Sequence, residues 1–510
     1  MPSLSIEVLP AFFGKLRGSS SCQLKPIPRW TKTHILLKLS PVRLTSLFLL
    51  FVTNLILGAE KTNIVYLNAD DLGWADLGVH GSTFYETPHL DKLAQSGLRL
   101  SNGYAAAANC APSRASAISG QWPQRHGIYT VGSSERGQSK DRKLIPTPNT
   151  ETLADEVLTI PEMLQQEGYY TAHVGKWHLS DNPLTHGFDV NIAGFHGGSP
   201  SKGGYHSPYN YPNIEQKRKG EYLTDRLAEE AVKIITQQKD RPFFLSFTPY
   251  SVHTPIQGRP DLVKKFKAKE SNQNHNNAEY AAMISSLDSA VGRIIATLKK
   301  ENLLEKTLIV FTSDNGGHGA ITSNAPLRSG KGSYYEGGIR EPFFFSWQGQ
   351  IPPSSVDDTP VTNLDLFPTF AAIAKAKIPD NKVLDGINLL PFLTERKPLP
   401  ERALFWHFPI YLQSYKSNDL ETRDPLFRTR PGSVVRSGDW KLHYYFEDNG
   451  LELYNLSQDL SEKNDLSQKE PLKTKELFKL LKDWHIKTNA PLPKKLNPDY
   501  HPKPPQEEEG

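Results

Sequence analysis

The sequence predicts an α/β fold: a large mixed, mainly parallel sheet sandwiched by helices, with a smaller C-terminal antiparallel α+β subdomain. Three observations carry this expectation. Short apolar, β-rich runs recur as far as about residue 400, amphipathic helical patterns separate them, and consecutive short strands take over after Pro398-Leu-Pro400. Strands that alternate with helices form a sheet covered on both faces. A run of strands followed by one helix forms an antiparallel unit. At 510 residues with 37% hydrophobic and 22% charged residues, the chain has enough apolar surface to build such a core.

In chain order, the first segment stands apart. Residues 1–59 carry seven cations (Lys15, Arg17, Lys25, Arg29, Lys32, Lys38 and Arg43) against Glu7 alone, a net charge of +6. The whole chain is +4, which leaves −2 for the rest, so the overall basicity gives no reason to expect a nucleic-acid partner. From Arg43 a cation, an apolar run Leu44–Leu57 and the small residues Gly58-Ala59 have the layout of a secretory signal peptide. The run is shorter than the ~20 apolar residues of a membrane span. Export to the periplasm or outside the cell is therefore expected, with no stable membrane anchor. The stretch before Arg43 is long for a signal and holds Pro and Trp, so translation is expected to start near Val42. That would leave Cys110 as the only cysteine of an exported chain, which cannot form an intramolecular disulfide.

A catalytic region is expected over 60–400. Its buried strands are predicted at Asn63–Leu67, Tyr170–Val174, Phe243–Phe247, Leu308–Thr312 and Pro342–Trp347. Helices are predicted over Ile160–Gln166, which stops at Gly168, and Ala278–Lys300, where Tyr280, Ile284, Leu287, Val291 and Leu298 form one stripe. The α+β unit is expected over 401–490. Its strands are predicted near Leu404–Phe408, Ser433–Arg436, Trp440–Phe446 and Glu452–Leu456, and its helix buries Leu477, Leu480, Leu481 and Trp484. The Pro-, Lys- and Glu-rich tail 491–510 is expected to be mobile.

Parallel sheets place their sites at the carboxyl ends of strands. The residues following the predicted strands are Asp70-Asp71, Lys176-Trp-His178, His253-Thr-Pro and Asp314-Asn315. Singly, each is also an ordinary turn or loop composition. Together they bring acids, two histidines and a lysine to one sheet edge. Asp70, Asp71, Asp314 and Asn315 offer only oxygen donors, which suit Ca²⁺ or Mg²⁺ rather than zinc. A fifth element, Cys110-Ala-Pro-Ser-Arg114, precedes a short helix predicted over 115–120. A cysteine before a helix N-terminus faces the positive end of the dipole.

The Cys-x-Pro-Ser-Arg run resembles the signature of the type I sulfatases, the arylsulfatase-like branch of the alkaline phosphatase superfamily. Asp70-Asp71-Leu-Gly, Gly175-Lys-Trp-His178, His253-Thr-Pro255, Asp314-Asn-Gly316, Gly330-Lys331-Gly332 and Glu336-Gly-Gly-Ile-Arg340 are similar to family segments in order and spacing, and the likeness runs from about residue 60 to 466. It implies an alkaline phosphatase-like sheet and oxidation of Cys110 to Cα-formylglycine by a formylglycine-generating maturation enzyme. It further implies a cation, Ca²⁺ with Mg²⁺ as the alternative, held by Asp70, Asp71, Asp314, Asn315 and the modified Cys110. Arg114 and Lys176 would hold the hydrated aldehyde, and His178 would take a proton from it. His253 and Lys331 would face the sulfate, as Lys176 also would. One hydroxyl of the hydrate attacks sulfur, and the other drives release of sulfate.

A sulfated carbohydrate is the expected substrate. His407 and Arg430, with the nearby Trp406, Phe408, Tyr411 and Arg428, are the candidates for contacting the sugar. Two other readings share these residues: a phosphonate or phosphate-ester hydrolase with the same nucleophile, and a secreted carbohydrate-binding protein whose Cys110 is never converted.

Overall fold

In the computed structural model, residues 61–200, 204–272, 274–415 and 421–501 are described. The signal-like segment, Cys22 and the expected start near Val42 lie outside them. The main sheet is built from β1 (Asn63–Ala69), β2 (Leu98–Tyr104), β3 (Tyr170–Gly175), β4 (Val190–Ile192), β5 (Phe243–Thr248), β6 (Thr307–Ser313), β7 (Arg340–Ser346), β8 (Ser355–Asp357) and β9 (Val361–Thr362). Its order is β4-β3-β5-β1-β6-β7-β2-β8, with β9 also paired to β2. Pairing is parallel from β4 through β6, while β7 runs antiparallel to both β6 and β2. The sheet is thus mixed and mainly parallel, as expected.

Side chains alternate across a strand, and both faces of β1 are covered. Val65 and Leu67 enter a core shared with the helices Leu223–Gln238 and Ala278–Lys300. Ile64 and Tyr66 enter a second core, shared with Cys110–Ser119, Ile160–Gln166 and Leu366–Ala374. The helix Ala278–Lys300 is long and apolar enough to cross a membrane. Here it is packed against the sheet through Tyr280, Ile284, Leu287, Val291 and Leu298.

The C-terminal part adds β10 (Ala403–Phe408), β11 (Leu412–Gln413), β12 (Phe427–Thr429), β13 (Gly432–Ser437), β14 (Trp440–Tyr445) and β15 (Leu451–Asn455). Strands β10, β13, β14 and β15 form an antiparallel sheet, and β11 pairs with β12. The helix Pro471–Thr488 covers the four-stranded sheet with Leu477, Leu481 and Trp484. Leu480 departs from expectation: it is 36% exposed, because the buried stripe is narrower than the run of leucines. The chain from Lys61 onward packs as one compact unit. Tyr104, Tyr334 and Ile339 of the main region share a core with Leu404, Trp406, Phe408 and Val434.

The described part of the tail is not free. The Lys495 carbonyl accepts from Ile145 N–H at 2.9 Å, and Asn497 N–H donates to Lys143 O at 2.9 Å. Residues 491–501, part of the stretch expected to be mobile, meet the loop at 140–145 through these bonds and through His501 N–H, which donates to Lys140 O at 2.9 Å.

Candidate active site

The sheet's carboxyl edge gathers the residues that follow its strands. Asp70 and Asp71 leave β1, Lys176 to His178 leave β3, His253 follows β5, and Asp314 and Asn315 leave β6. Two of these, Asp71 (φ 59°) and His178 (φ 66°), take left-handed backbone conformations. For a residue other than glycine this costs of order 1–3 kcal/mol and persists only where surrounding structure enforces it. At Asp71 that structure includes its own N–H, which donates to Asp314 Oδ1 at 3.2 Å.

Cys110 arrives from the other side. It opens the helix Cys110–Ser119, which follows extended Asn109 and ends at left-handed Gly120. The expected helix of 115–120 is therefore extended toward the N-terminus, and Cys110 lies in its first turn rather than before it. The helix is buried along its whole length, so the polar Ser113 and Arg114 need partners. Asn363 Nδ2 donates to Ser113 Oγ at 2.9 Å. Arg114 Nε donates to Asp314 Oδ2 at 2.7 Å, and its Nη1 donates to the Lys176 carbonyl at 3.1 Å.

The acids and bases interlock. Lys176 Nζ donates to both oxygens of Asp70, at 2.9 and 2.8 Å. Lys331 Nζ donates to Asp71 Oδ2 at 2.6 Å, and Asn315 Nδ2 to Asp71 Oδ1 at 2.9 Å. Cys110 Sγ lies 3.8 Å from Asp71 Oδ1. Burial pushes the Asp71 carboxyl up, but Lys331, His253 and Lys176 outweigh it and hold the group well below the usual carboxylate range. Lys331 is the mirror case: burial works against its charge, and Asp71 and Cys110 raise it well above its ordinary value.

The histidines differ from these. Burial, followed by Lys176, Arg114 and Lys331, pushes His178 well below its ordinary value, so its ring is neutral at neutral pH. His253 is lowered too, by burial and Lys331 against the pull of Asp71. Its Nδ1 donates to the Thr254 carbonyl at 2.6 Å, leaving Nε2 3.6 Å from Asp71 Oδ2.

The donor set has the chemistry of a cation site. Ligand atoms of Asp70, Asp71, Cys110 and Asp314 lie within 4.8 Å of one another, all buried. Beside them Asn315 Oδ1 is buried without a hydrogen-bond partner among the described residues. An orphaned amide oxygen among converging carboxylates fits a hard divalent cation.

Above this floor opens a cavity of about 320 Å³. Cys110, His178, His253 and Lys331 line it below, and Arg136, His318, Tyr415 and Arg428 line its wall. The structure thus brings Asp70, Asp71, Cys110, Arg114, Lys176, His178, His253, Asp314, Asn315 and Lys331 to one place.

It does not bring His407 or Arg430 there, and the expectation of substrate contact is corrected for both. His407 is buried on β10 of the small sheet, with Nδ1 2.8 Å from Ser433 Oγ and Nε2 3.0 Å from the Pro491 carbonyl. Arg430 is bound to Asp424 and, at 2.7 Å, to Glu447. Trp406 and Phe408 are core, and the Tyr411 hydroxyl donates to Glu447. Of that group, Arg428 does reach the cavity. Sequence reasoning missed Arg136, His318 and Tyr415, which come from loops with no periodicity or motif to mark them.

Comparison with known proteins follows the same lines. The sulfatase family model matches residues 62–376, and the model for the C-terminal region of N-sulphoglucosamine sulphohydrolase matches 330–488. A sulfatase of Formosa agariphila is 33% identical over 511 aligned residues, covering 85% of this chain and 90% of that protein. Human N-acetylgalactosamine-6-sulfatase is 32% identical, over 68% of each chain. The crystal structure of Ps i-CgsB in complex with k-i-k-neocarrahexaose superposes with a TM-score of 0.69 at 30% identity, covering 83% of this chain and 93% of that one.

Proposed function

The chain belongs to the sulfatase family and is a sulfatase, and from that premise we propose that it releases inorganic sulfate from a sulfated carbohydrate. The nucleophile in this reading derives from Cys110, converted to Cα-formylglycine by a maturation enzyme. The observation that carries the proposal is the meeting of Cys110 with three buried carboxylates on the floor of a cationic cavity. The sugar class is supported by the relatives, which include an N-acetylgalactosamine-6-sulfatase and a protein crystallised in complex with k-i-k-neocarrahexaose.

Asp70, Asp71, Asp314, Asn315 and position 110 would hold Ca²⁺, with Mg²⁺ the alternative. Such a cation supplies Lewis acidity, which makes a bound hydroxyl more acidic and offsets charge on sulfate oxygens. The aldehyde, when hydrated, supplies an oxygen nucleophile where the thiol offers only sulfur.

The remaining roles belong to side chains already in place. Arg114 and Lys176 fix the carboxylates: each guanidinium or ammonium contact orients an acid that would otherwise repel its neighbours. Neutral His178 is ready to accept a proton at neutral pH. Lys331 stays charged and faces the cavity, where a transferring sulfuryl group carries negative charge on its oxygens. His253 Nδ1 already donates to the Thr254 carbonyl, so to protonate the leaving sugar oxygen from Nε2 the ring would have to be doubly protonated at that step, with Asp71 beside it favouring the charge. Export, supported by the cationic and apolar segment before Glu60, would place the enzyme where polysaccharides are met.

The test is turnover of 4-nitrophenyl sulfate beside the matched phosphate diester, with a panel of sulfated mono- and oligosaccharides assayed for released sulfate. Sulfate release with little diester turnover is expected. Preferential diester hydrolysis, or an unmodified thiol at Cys110 in active protein, would refute the proposal.

A further inference from the structure

The cations around the cavity fall into two groups. Those of the floor are each neutralised by a carboxylate: Lys176 by Asp70, Lys331 by Asp71 at 2.6 Å, and Arg114 by Asp314 at 2.7 Å. Those of the wall are not. Among the described residues, Arg136 and Arg428 have no acidic partner, although both line the same cavity as Cys110.

Neutral carbonyls hold them in place instead. Arg136 Nε donates to the Gln413 side-chain oxygen at 3.1 Å, and Arg428 Nε donates to the Gln413 backbone carbonyl at 2.9 Å. One residue of β11 therefore spaces both guanidinium groups. Arg428 Nη1 also donates to the Lys331 carbonyl at 3.0 Å, which ties the wall to the floor. The Arg428 guanidinium lies 3.8 Å from the centre of the Tyr415 ring, and the His318 ring is stacked with Tyr415 at 3.9 Å.

Each arginine keeps unused N–H groups after these bonds, since guanidinium carries five donors and no acceptor. Two such groups beside one another, one of them buried, are an unfavourable arrangement without an anion. The proximity of Arg136 adds to burial in lowering the pKa of Arg428, as expected for neighbouring like charges. Planar guanidinium groups match sulfate and carboxylate oxygens in a bidentate manner, and the stacked Tyr415 restricts how Arg428 can turn.

We propose that Arg136 and Arg428 form a second anion subsite, which grips a further negative group, sulfate or carboxylate, on the substrate sugar; this rests on the sulfated-carbohydrate reading above. The floor takes the sulfate that is cleaved. The wall takes a charge that stays, and so selects polyanionic saccharides over singly sulfated ones.

The test measures binding and turnover separately in wild-type protein, Arg136→Met and Arg136→Lys. The probes are 6-sulfated N-acetylgalactosamine, galactose and glucosamine, each alone, with a second sulfate on the ring, and with a neighbouring uronic acid. Calorimetry is expected to show at least one doubly charged probe binding roughly 10- to 100-fold more tightly than its singly sulfated partner. The arm that shows this ratio tells a ring sulfate from a neighbouring carboxylate. Arg136→Met should lose most of the ratio, and Arg136→Lys should keep part of it. Equal affinities within every pair, or a ratio unchanged in Arg136→Met, overturns the subsite. An intact binding ratio with no sulfate released by wild-type protein supports the subsite and counts against the sulfatase chemistry proposed above.

Discussion

The proposed proton acceptor, His178, is held by sterics as much as by charge. Its left-handed backbone turns the ring toward the cavity floor, and Gly198 closes over it. A Cβ built at Gly198 would overlap Cε1 and Nε2 of His178. Gly198→Ala is therefore expected to displace the ring and lower kcat by about 10²-fold. The melting temperature should stay close to wild type, because the added methyl meets one ring at the cavity rather than the packed core. Wild-type kcat in this variant, with the fold intact, would remove His178 from the reaction.

Residue-level legibility was uneven for a physical reason. Asp70, Lys176, His253 and Asp314 could be found because parallel strands end at one edge, and chemistry placed just after each strand converges. His407 and Arg430 were misread because composition does not say which way a side chain faces. An aromatic-rich strand run such as 404–408 serves a core as well as a sugar. Arg136 and Tyr415 carry no local signal at all: only the folded chain brings positions so far apart in sequence to one cavity wall.

Among the elements, the join between the main sheet and the C-terminal sheet depends on buried charge. Lys441 of β14 donates to Glu336 at 2.9 Å and lies 2.9 Å from Glu462. Glu336 also meets Arg340 at the start of β7, at 3.1 Å, and accepts from the Tyr104 hydroxyl at the end of β2. Arg436 of β13 donates to that same hydroxyl. Removing one member strands the others in a fully buried site. Lys441→Met should thus destabilise the protein by about 3–5 kcal/mol, read by urea unfolding. A loss below ~1 kcal/mol would mean that Arg340 suffices for Glu336 and His443 for Glu462.

Periodicity located most elements well. The helices Ile160–Gln166 and Ala278–Lys300 have the bounds their apolar spacing indicates, since an amphipathic stripe reports directly on the face that packs. Strand β2 and the start of the helix at Cys110 were harder. In β2 the polar Ser101 and Asn102 interrupt the apolar run, and its pairing with β7 shifts register there. At Cys110, small residues and serines leave no stripe, because every side of that helix is buried.

At the scale of the whole molecule, folding takes several ionisable groups out of water, and this couples stability to pH. His407 is the clearest single case, with burial pushing its ring down to about 3 against about 6.5 in an unfolded chain. The unfolded state then binds more protons below pH ~6.5, so the stability contributed by this group is full above that pH and is lost as pH falls toward 3. His407→Phe should destabilise at pH 7.5 through the lost bonds to Ser433 and Pro491. The gap between wild type and variant should narrow on acidification by up to roughly 1.4 kcal/mol per pH unit. A gap that is constant from pH 7.5 to 5 would show that the buried ring does not titrate as described.

The same scale explains why the fold was the most legible feature and the substrate the least. Alternating strands and helices are spread along hundreds of residues, whereas substrate choice rests on a few wall residues with no repeat to average over. The positive charge of the full chain likewise said little about the ligand, because it belongs to residues 1–59, while the cations that matter are grouped around one cavity.

All of this turns on one cysteine, buried beside Asp71 at the cavity floor. The most direct test is inorganic sulfate release by wild-type protein and by Cys110→Ala, both produced in a host that carries the maturation enzyme. The account predicts sulfate release by wild type and none above background in the variant, with unchanged melting temperatures. Release by Cys110→Ala at the wild-type rate would contradict it.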